Sequence, residues 1–260
     1  PCGTTGEAAT MTENERLHVI RMAVEVAHAK TGAGGVRLAR VIAGTGGNST
    51  ASTIECTRKA REAGADGALV GAPYYNKPTP EGLFAHYSEV ARSVKDLPIV
   101  LYNVPSRTSC NITAETTLRL AETHENIVAT KEASGNYSQI MEILAGRPNN
   151  FKVFSGDDAS TLPLISLGAD GLISVCSNEL PAETTKMVEK ALDGAYTAAR
   201  KLHYKLLPLM EANFIESSPA PCKFVMSEIG LLENNLRLPL VPVSKPAQEK
   251  LRAVIKGFDK

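Results

Sequence analysis

The sequence predicts an α/β fold built on parallel strands, and two observations predict it. Short, mostly apolar runs alternate with amphipathic stretches, and the runs lie at 40–43, 68–70, 98–102, 127–130, 151–154 and 171–175. Such runs are typical of parallel strands that are covered on both faces. In addition, residues 63–70 are weakly repeated at 167–174, and both copies join the end of a helix to a strand. This alternation implies right-handed crossovers and a parallel sheet.

Helices are predicted between and after the strands. The stretches between strands have helical spacing at 14–29, 50–63, 80–94 and 114–122. Two of these stretches open with a capping signal, Asn48-Ser49-Thr50 and Thr79-Pro80-Glu81. After Val175 only helices are predicted, at 182–192, 195–214, 221–229 and 246–256. We therefore predict two regions, a (β/α) barrel over 1–192 and a C-terminal helical region over 193–260.

Six predicted strands do not decide whether the sheet closes into a barrel. A (β/α)8 TIM barrel would need a further strand, a helix and most of a second strand before Pro1, about 35–40 residues at the usual unit length. The chain opens with Pro1-Cys2-Gly3, a loop leading into a helix, which is an unusual start for a globular chain. We expect a barrel whose first strand and helix are absent from this sequence. An open doubly wound sheet is the alternative.

The composition argues against several classes of function. The 260 residues carry no formal net charge, so nothing favours binding to nucleic acid or to an anionic membrane surface. No apolar run approaches the roughly 20 residues that span a bilayer, and no signal peptide opens the chain. The five cysteines include no Cys-x-x-Cys pair, and the five histidines have no ligand spacing. We expect free thiols, a cytoplasmic protein, and neither a metal nor a cofactor.

A candidate nucleophile follows one of the strands, where a barrel gathers its functional groups. Lys131 comes directly after the run 127–130. A lysine that is desolvated at the end of a buried strand has a lowered pKa, and its neutral amine attacks a ketone to form an imine. A charged, solvated residue that merely ends a strand is the alternative.

Two polar side chains follow the run 98–101. They are Tyr102 and Arg107, in the segment Tyr102-Asn103-Val104-Pro105-Ser106-Arg107-Thr108. The hydroxyl of Tyr102 suits a proton relay, and the guanidinium of Arg107 suits a two-pronged contact with a carboxylate. A tyrosine packed against a helix beside an exposed arginine is equally compatible with this pattern.

Three loops contain residue types that are common in binding sites. Gly3-Thr4-Thr5-Gly6-Glu7 offers hydroxyls and backbone N–H groups at a helix start, which suit a carboxylate or a phosphate, with a simple capped turn as the alternative. The proline-bounded loop 72–78 contains Tyr74 and Tyr75, for which a pocket, a subunit contact and core packing stay open. The glycine-rich loop 44–48 lacks the Gly-Lys-Ser/Thr ending of a nucleotide-binding loop.

Taken together, these segments resemble the dihydrodipicolinate synthase family, one of the pyruvate-dependent class I aldolases that also include N-acetylneuraminate lyase. The resemblance runs from Gly3 to the helical C-terminus. The motifs that carry it are the segments 3–7, 73–78 and 102–108, Lys131-Glu132-Ala133, and Ser155-Gly156-Asp157-Asp158-Ala159. It implies a TIM barrel without a cofactor, in a homotetramer built as a dimer of dimers.

The resemblance implies that the catalytic residues are Lys131, Tyr102, Thr4 and Tyr75. Lys131 would form the imine with pyruvate. The other three would form a proton relay, in which Tyr75 reaches into the site of the neighbouring subunit.

The resemblance also implies that the substrate-binding residues are Thr5, Arg107, Gly156 and Ile173. Thr5 would hold the carboxylate of pyruvate, and Arg107 would receive the carboxylate of the second substrate, L-aspartate 4-semialdehyde. Gly156 and Ile173 would line the pocket largely through their backbone. The implied product is 4-hydroxy-tetrahydrodipicolinate, an intermediate on the route to diaminopimelate and lysine.

Members of the family that lysine inhibits have a regulatory cleft at a subunit interface, and this sequence matches it only in part. Asn48 and Tyr74 match the cleft. Ser52 stands where those members carry an acidic residue able to pair with the lysine ammonium. Three further positions differ, namely Ala8, Glu13 and Arg16. We therefore expect weak or absent feedback by lysine.

Two other functions, a different pyruvate-dependent aldolase and an inactive barrel, are the alternatives. Another pyruvate-dependent aldolase, such as an N-acetylneuraminate or keto-deoxy sugar-acid lyase, is disfavoured by Arg107, because polyol substrates place no carboxylate there. A barrel that has lost its activity is disfavoured because the four implied catalytic residues are all present.

Overall fold

The computed structural model describes residues 1–32, 35 and 38–258, which form two compact units. The first unit contains Pro1–Gly3 and Met11–Phe154, and the second contains Thr4–Thr10 and the chain from Ser155 onward. The strands are β1 Ile42–Gly44, β2 Gly67–Gly71, β3 Ile99–Asn103, β4 Ile127–Glu132, β5 Lys152–Ser155 and β6 Gly171–Leu172.

In the first unit, strands that follow one another in the chain are also neighbours in the sheet, in the order β1-β2-β3-β4-β5. The pairs β1–β2, β2–β3 and β3–β4 are all parallel. Val70, Ile99 and Leu101 are fully buried, as strands covered on both faces require. The predicted parallel α/β fold is confirmed.

Helices of the first unit begin where short polar side chains cap them. They are α1 Glu13–Ala29, α2 Thr50–Glu62, α3 Pro80–Ser93, α4 Pro105–Thr108, α5 Ala114–Thr123 and α6 Tyr137–Gly146. The side chains of Ser49 and Thr79 accept hydrogen bonds from backbone N–H groups of α2 and α3, so both predicted caps are confirmed. Thr12 and Glu15 form a reciprocal capping box at the start of α1.

The glycines of the loop 44–48 serve close packing of the backbone. A side chain on Gly44 would collide with the carbonyl of Cys2, and one on Gly46 would collide with the backbone N of Gly71. The N–H of Gly44 donates to the carbonyl of Pro1 over 2.8 Å. These contacts explain why glycine is needed at positions 44 and 46, and no bound phosphate is required to explain them.

The second unit is mostly helical after β6. Its helices are α7 Thr161–Ser166, α8 Pro181–Leu192, α9 Tyr196–Ala212, α10 Ala220–Glu228 and α11 Lys245–Ile255. The four helices predicted after Val175 correspond to α8–α11, with ends that differ by one or two residues. The last two positions of the predicted region 193–260 lie outside the described residues. Helices α8, α9, α10 and α11 share one hydrophobic core, which includes Met187, Leu209, Phe224 and Leu251.

The strand predicted over 171–175 is too long, because β6 ends at Leu172. The buried carboxylate of Asp158 accepts hydrogen bonds from the Ser174 hydroxyl and from the N–H groups of Val175 (2.9 Å) and Cys176 (3.4 Å). These bonds turn the chain away from the strand direction and into a short 3-10 helix, Cys176–Asn178. A nearby carboxylate therefore overrides the apolar pattern.

Candidate active site

Lys131 and Tyr102 are in contact in the first unit. Strand β4 extends through Glu132, so Lys131 lies within the strand and not, as the sequence pattern predicted, directly after it. Tyr102 on β3 is its partner in the parallel register. The Lys131 Nζ lies 4.4 Å from the centre of the Tyr102 ring, a favourable position for an ammonium. Both residues are partly buried.

Arg107 is presented by a short helix that begins two residues after β3. Helix α4 ends at Thr108, and the φ of 53° at the following residue, Ser109, lies in the left-handed region. The hydroxyl of Thr108 donates to the carbonyl of Cys110 over 2.8 Å and accepts from its N–H, which fixes the end of the turn. Arg107 itself is exposed. An exposed guanidinium on a fixed turn is able to receive an anionic group.

Tyr75 projects from the loop that follows β2, the neighbour of the Tyr102 strand. Its side chain is 87% exposed, and its φ of 72° is costly for a tyrosine. The loop is anchored by the side-chain amide of Asn76, which donates to the carbonyl of Asn48 over 2.9 Å. Core packing, one of the alternatives for Tyr75, is therefore excluded in this chain.

Thr4 and Thr5 lie in a turn of the second unit that a carboxylate holds in place. The N–H of Glu7 donates to the carbonyl of Thr4 over 3.1 Å. The Glu7 carboxylate accepts from Lys223 Nζ (2.5 Å) and from the N–H of Arg237 (2.8 Å). Burial alone would raise the pKa of Glu7, but these hydrogen bonds lower it below the usual value. The turn is thus tied to the C-terminal helical part of the unit.

Gly156 and Ile173 also belong to the second unit, and each directly follows a strand. Gly156 comes after Ser155, the last residue of β5, and Ile173 comes after Leu172, the last residue of β6. The N–H of Ile173 donates to the carbonyl of Ser155 over 2.9 Å. The predicted pocket-lining residues therefore sit side by side at the ends of two strands.

The structure divides the predicted site residues between the units. The first unit contains Lys131, Tyr102, Arg107 and Tyr75, and the second contains Thr4, Thr5, Gly156 and Ile173. Lys131, Tyr102, Gly156 and Ile173 lie in or directly after the last residues of strands, whereas Thr4 and Thr5 follow no strand of the described residues.

Sequence reasoning assigned no role to Asn103 or Glu132, although both stand inside the motifs that it singled out. They are 0% and 1% exposed, and the Asn103 amide donates to Glu132 Oε1 over 2.6 Å. Burial raises the pKa of Glu132, while hydrogen bonds from Ser134 and Asn103 act against the rise. The signal that could have found them was position, because each directly follows a catalytic candidate.

Two further properties concern the described residues alone. Among them, no group of three or more His, Cys, Asp or Glu side chains is arranged to hold a metal ion. None of their helices combines the length and the apolar character that crossing a membrane requires.

Comparison with known proteins identifies the family. The model of the Dihydrodipicolinate synthetase family matches residues 1–258. This chain belongs to the dihydrodipicolinate synthetase family. The expected resemblance is confirmed, and so is the expectation of a lyase-type enzyme.

Relatives in the dihydrodipicolinate synthetase family are similar over most of their length. The 4-hydroxy-tetrahydrodipicolinate synthase of Chlorobium chlorochromatii is 44% identical over 251 residues, which are 96% of this chain and 82% of that protein. The crystal structure of dihydrodipicolinate synthase from Aquifex aeolicus has a TM-score of 0.93 at 46% identity and covers 99% of this chain and 85% of its own. The enzyme from Cyanidioschyzon merolae with lysine bound has a TM-score of 0.93 at 40% identity, with coverages of 98% and 84%.

Proposed function

We propose that this chain condenses pyruvate with L-aspartate 4-semialdehyde to give 4-hydroxy-tetrahydrodipicolinate, in the biosynthesis of diaminopimelate and lysine. The observation that carries the proposal is the contact of the Lys131 amine with the Tyr102 ring, 4.4 Å apart at neighbouring strand ends. Imine chemistry needs a lysine amine and a group that moves protons beside it. The relatives from Chlorobium chlorochromatii and Aquifex aeolicus bear the name of this synthase.

The proposed reaction begins at Lys131. Its neutral amine attacks the ketone carbon of pyruvate, and the resulting carbinolamine loses water to give a cationic imine. The imine withdraws electrons from the neighbouring methyl group, which loses a proton and becomes an enamine. The enamine carbon attacks the aldehyde of the second substrate and forms the new carbon–carbon bond. The amino group of that substrate then attacks the imine carbon, which closes the ring and releases Lys131.

Three hydroxyl groups are proposed to carry the protons of these steps. Tyr102 stands beside the amine, and Thr4 and Tyr75 would complete the relay. The exposure of Tyr75, 87%, supports a role for this residue in the site of a neighbouring subunit. We accordingly propose a homotetramer, in which two subunits share Tyr75 across an interface.

Four residues are proposed to bind the substrates. Thr5 and the backbone of its turn would hold the pyruvate carboxylate, since N–H groups of a tight turn suit an anion. Arg107 would hold the carboxylate of the second substrate through a two-pronged contact. Gly156 and Ile173 would line the pocket with backbone groups, which their places directly after β5 and β6 support.

The proposal extends to the architecture and the compartment. We propose that the parallel strands belong to a (β/α)8 TIM barrel, with the barrel over 1–192 and the helical region over 193–260. Neighbouring strands in chain order with helices between them support it. All five cysteines are free thiols, and four of them are buried, which supports a cytoplasmic protein.

Trapping the imine tests the proposed function. The protein is incubated with pyruvate and reduced with borohydride, and the modified peptide is mapped by mass spectrometry. We expect one adduct, on Lys131, and none in Lys131→Arg. Lys152→Arg, on the neighbouring strand β5, is the matched control and should keep the adduct. No adduct, or an adduct on another lysine, contradicts the mechanism, and turnover of N-acetylneuraminate but not of aspartate semialdehyde contradicts the substrate assignment.

Weak feedback by lysine is proposed as well. Ser52 is exposed at the third position of α2, where its N–H meets the hydroxyl of the cap Ser49 over 3.4 Å. Ser52→Glu would place an acidic residue there and fits the helix start, because glutamate at this position completes a capping box. We expect lysine to inhibit Ser52→Glu more strongly than the natural chain. An inhibition curve of the natural chain with a submillimolar midpoint contradicts the proposal.

A further inference from the structure

A polar network whose centre, Asn103 and Glu132, is buried lies directly behind the pair formed by Lys131 and Tyr102. We call it the amide network, and its members are Asn103, Asn111, Glu132, Ser134 and Gln139. Asn103 Nδ2 donates to Glu132 Oε1 (2.6 Å) and to Asn111 Oδ1 (2.9 Å). Asn111 Nδ2 donates to Gln139 Oε1 (2.8 Å), and the Ser134 hydroxyl donates to Glu132 Oε2 (2.5 Å).

The register of β3 and β4 couples this network to the two catalytic candidates. Tyr102 is paired with Lys131, and the next pair along the two strands is Asn103 with Glu132. Successive side chains of a strand point to opposite faces, so the two pairs occupy opposite sides of the same strand ends. Tyr102 and Lys131 are partly accessible, whereas Asn103 and Glu132 are buried. A shift of either buried residue would therefore move the catalytic residue beside it.

The network also fixes the turn that carries Arg107. The Asn103 Oδ1 accepts from the N–H of Ile112 over 3.0 Å, which ties the far end of the loop back to β3. Gln139 Nε2 donates to the carbonyl of Ile112 over 3.2 Å, and this links the same loop to α6. These bonds hold the far end of the segment 103–112, which carries Arg107, against strand β3.

Simple packing does not explain these residues. The adjacent pair in the β2–β3 register, Val70 with Leu101, holds its strands by apolar contact, and the buried face of β3 consists otherwise of apolar side chains. A buried carboxylate, that of Glu132, and two buried amides, those of Asn103 and Gln139, are a costly replacement for such contacts. Their directional hydrogen bonds define one arrangement of the strand ends, which apolar packing would leave less strictly defined.

We propose that Asn103 and Glu132 are positioning residues of the proposed reaction. They hold the Tyr102 hydroxyl and the Lys131 amine in the geometry that proton transfer at the imine requires. Neither residue touches the substrate, and both act through the neighbouring residue of the strand. This inference rests on the proposed function.

Asn103→Ala tests the inference. We expect kcat to fall about 100-fold, the size of effect that a displacement of about 1 Å produces in a catalytic group. The KM for pyruvate should change far less, because the pyruvate-binding groups are proposed to lie elsewhere. Borohydride should still trap the adduct on Lys131 at saturating pyruvate. Exchange of the pyruvate methyl protons with deuterated water, which needs the Tyr102 relay, should slow by the same factor as kcat.

Asn126→Ala is the matched control, because Asn126 anchors the opposite end of β4. Its side-chain amide donates to the carbonyls of Ala91 and Val94, each over 3.0 Å. Loss of this amide should destabilise the fold to a similar degree and leave kcat and methyl-proton exchange near those of the natural chain. Equal falls of kcat in both variants, or an unchanged kcat in Asn103→Ala, overturn the inference.

A swap of the two groups covers the case in which Asn103→Ala does not fold. Asn103→Asp places two carboxylates against each other and should lower kcat. Asn103→Asp combined with Glu132→Gln restores one donor and one acceptor between the two positions. Because rotation of the Asn111 and Gln139 amides gives up the bond from Gln139 to the Ile112 carbonyl, the double variant should recover part of the lost rate. A double variant no faster than Asn103→Asp alone overturns the inference.

If the natural chain forms no pyruvate adduct, the proposed function fails, and the inference fails with it. An adduct in every variant with unchanged kcat defeats the inference alone.

Discussion

Glu132 in the first unit and Glu179 in the second are both buried, but the protein surrounds their carboxyl groups differently. Glu132 has a side-chain donor on each oxygen, Asn103 on one and Ser134 on the other. Glu179 is 4% exposed, and Asn213 Nδ2 donates to its Oε2 over 2.8 Å. Its Oε1 accepts no hydrogen bond from the described residues, and neither does the Oδ1 of Asn213.

The pKa of Glu179 follows from these surroundings. Burial, with a smaller contribution from the nearby Asp158 carboxylate, raises the pKa of Glu179 to about 8, against the opposing hydrogen bonds of Asn213 and Cys222. Glu179 is therefore protonated near neutral pH, and its hydroxyl can donate to Asn213 Oδ1, which would pair both remaining oxygens. The two thiols beside it do not titrate in this range, because burial raises the pKa of Cys176 to about 12 and also that of Cys222.

The difference shows two ways of burying a carboxyl group. Next to the proposed active site the chain provides a donor for each oxygen, and these donors favour the charged form against the effect of burial. In the second unit it provides an amide and a weakly donating thiol, and Glu179 stays protonated near neutral pH. Removal of the Glu132 side chain should therefore cost more stability than removal of Glu179, whereas deprotonation of Glu179 destabilises the fold.

Removal of each side chain should separate the two arrangements most clearly. Glu132→Ala leaves donors of Asn103 and Ser134 without their acceptor, and we expect a loss of about 3 kcal/mol in the free energy of unfolding at pH 7. Glu179→Ala leaves the amide of Asn213 alone and should cost about 1–2 kcal/mol. Urea denaturation of both variants measures the difference. Equal losses would show that the number of donors does not matter.

Glu179→Gln should change how stability depends on pH. The folded pKa of Glu179, about 8, lies above its usual value of 4.5, so the folded state binds the proton more tightly. The stabilisation is complete below pH 4.5 and is lost as the pH rises toward 8 and beyond. A glutamine keeps the pairing with Asn213 at every pH. We expect the variant to be more stable than the natural chain above pH 8 by about 1–3 kcal/mol.

Glu132→Gln is the control for that measurement, because it leaves Glu179 in place. Urea midpoints between pH 5 and pH 9 should fall with pH in the control and in the natural chain, and much less in Glu179→Gln. The same slope in all three proteins would exclude Glu179 as the titrating group.

The sequence predicted the elements that have strong local signals. The apolar runs located all six strands, and polar caps such as Ser49 and Thr79 located helix starts within a residue or two. Helices α4, α6 and α7 were not among the predicted stretches. The first and the last are short and have no side-chain cap bond, whereas α6 is capped by Asn136 and could have been found. Strand β6 was predicted too long, because the pattern carries no information about the carboxylate of Asp158 that ends it.

The candidate site was predictable only in part for the same reason. Lys131 and Tyr102 were each found because they follow an apolar run, but the register that pairs them was not predicted. The pairing of Asn103 with Glu132 joins residues 29 apart, and that of Glu179 with Asn213 joins residues 34 apart. Such contacts depend on tertiary structure, which residue patterns within one segment do not contain.

The smallest effect is expected at an exposed carboxylate, which completes the comparison. Glu228 on α10 accepts two hydrogen bonds from the guanidinium of Arg252 on α11, over 2.7 and 3.0 Å. The hydrogen bond from Arg252 lowers the pKa of Glu228, so this pair stabilises above the usual value of 4.5 and is lost as the pH falls. That direction is opposite to the one expected for Glu179. Because solvent and salt screen the pair, Glu228→Gln should lower the melting temperature only slightly, and by less in 1 M salt. A large change that salt leaves intact would mean that the donors around a carboxylate matter more than its burial.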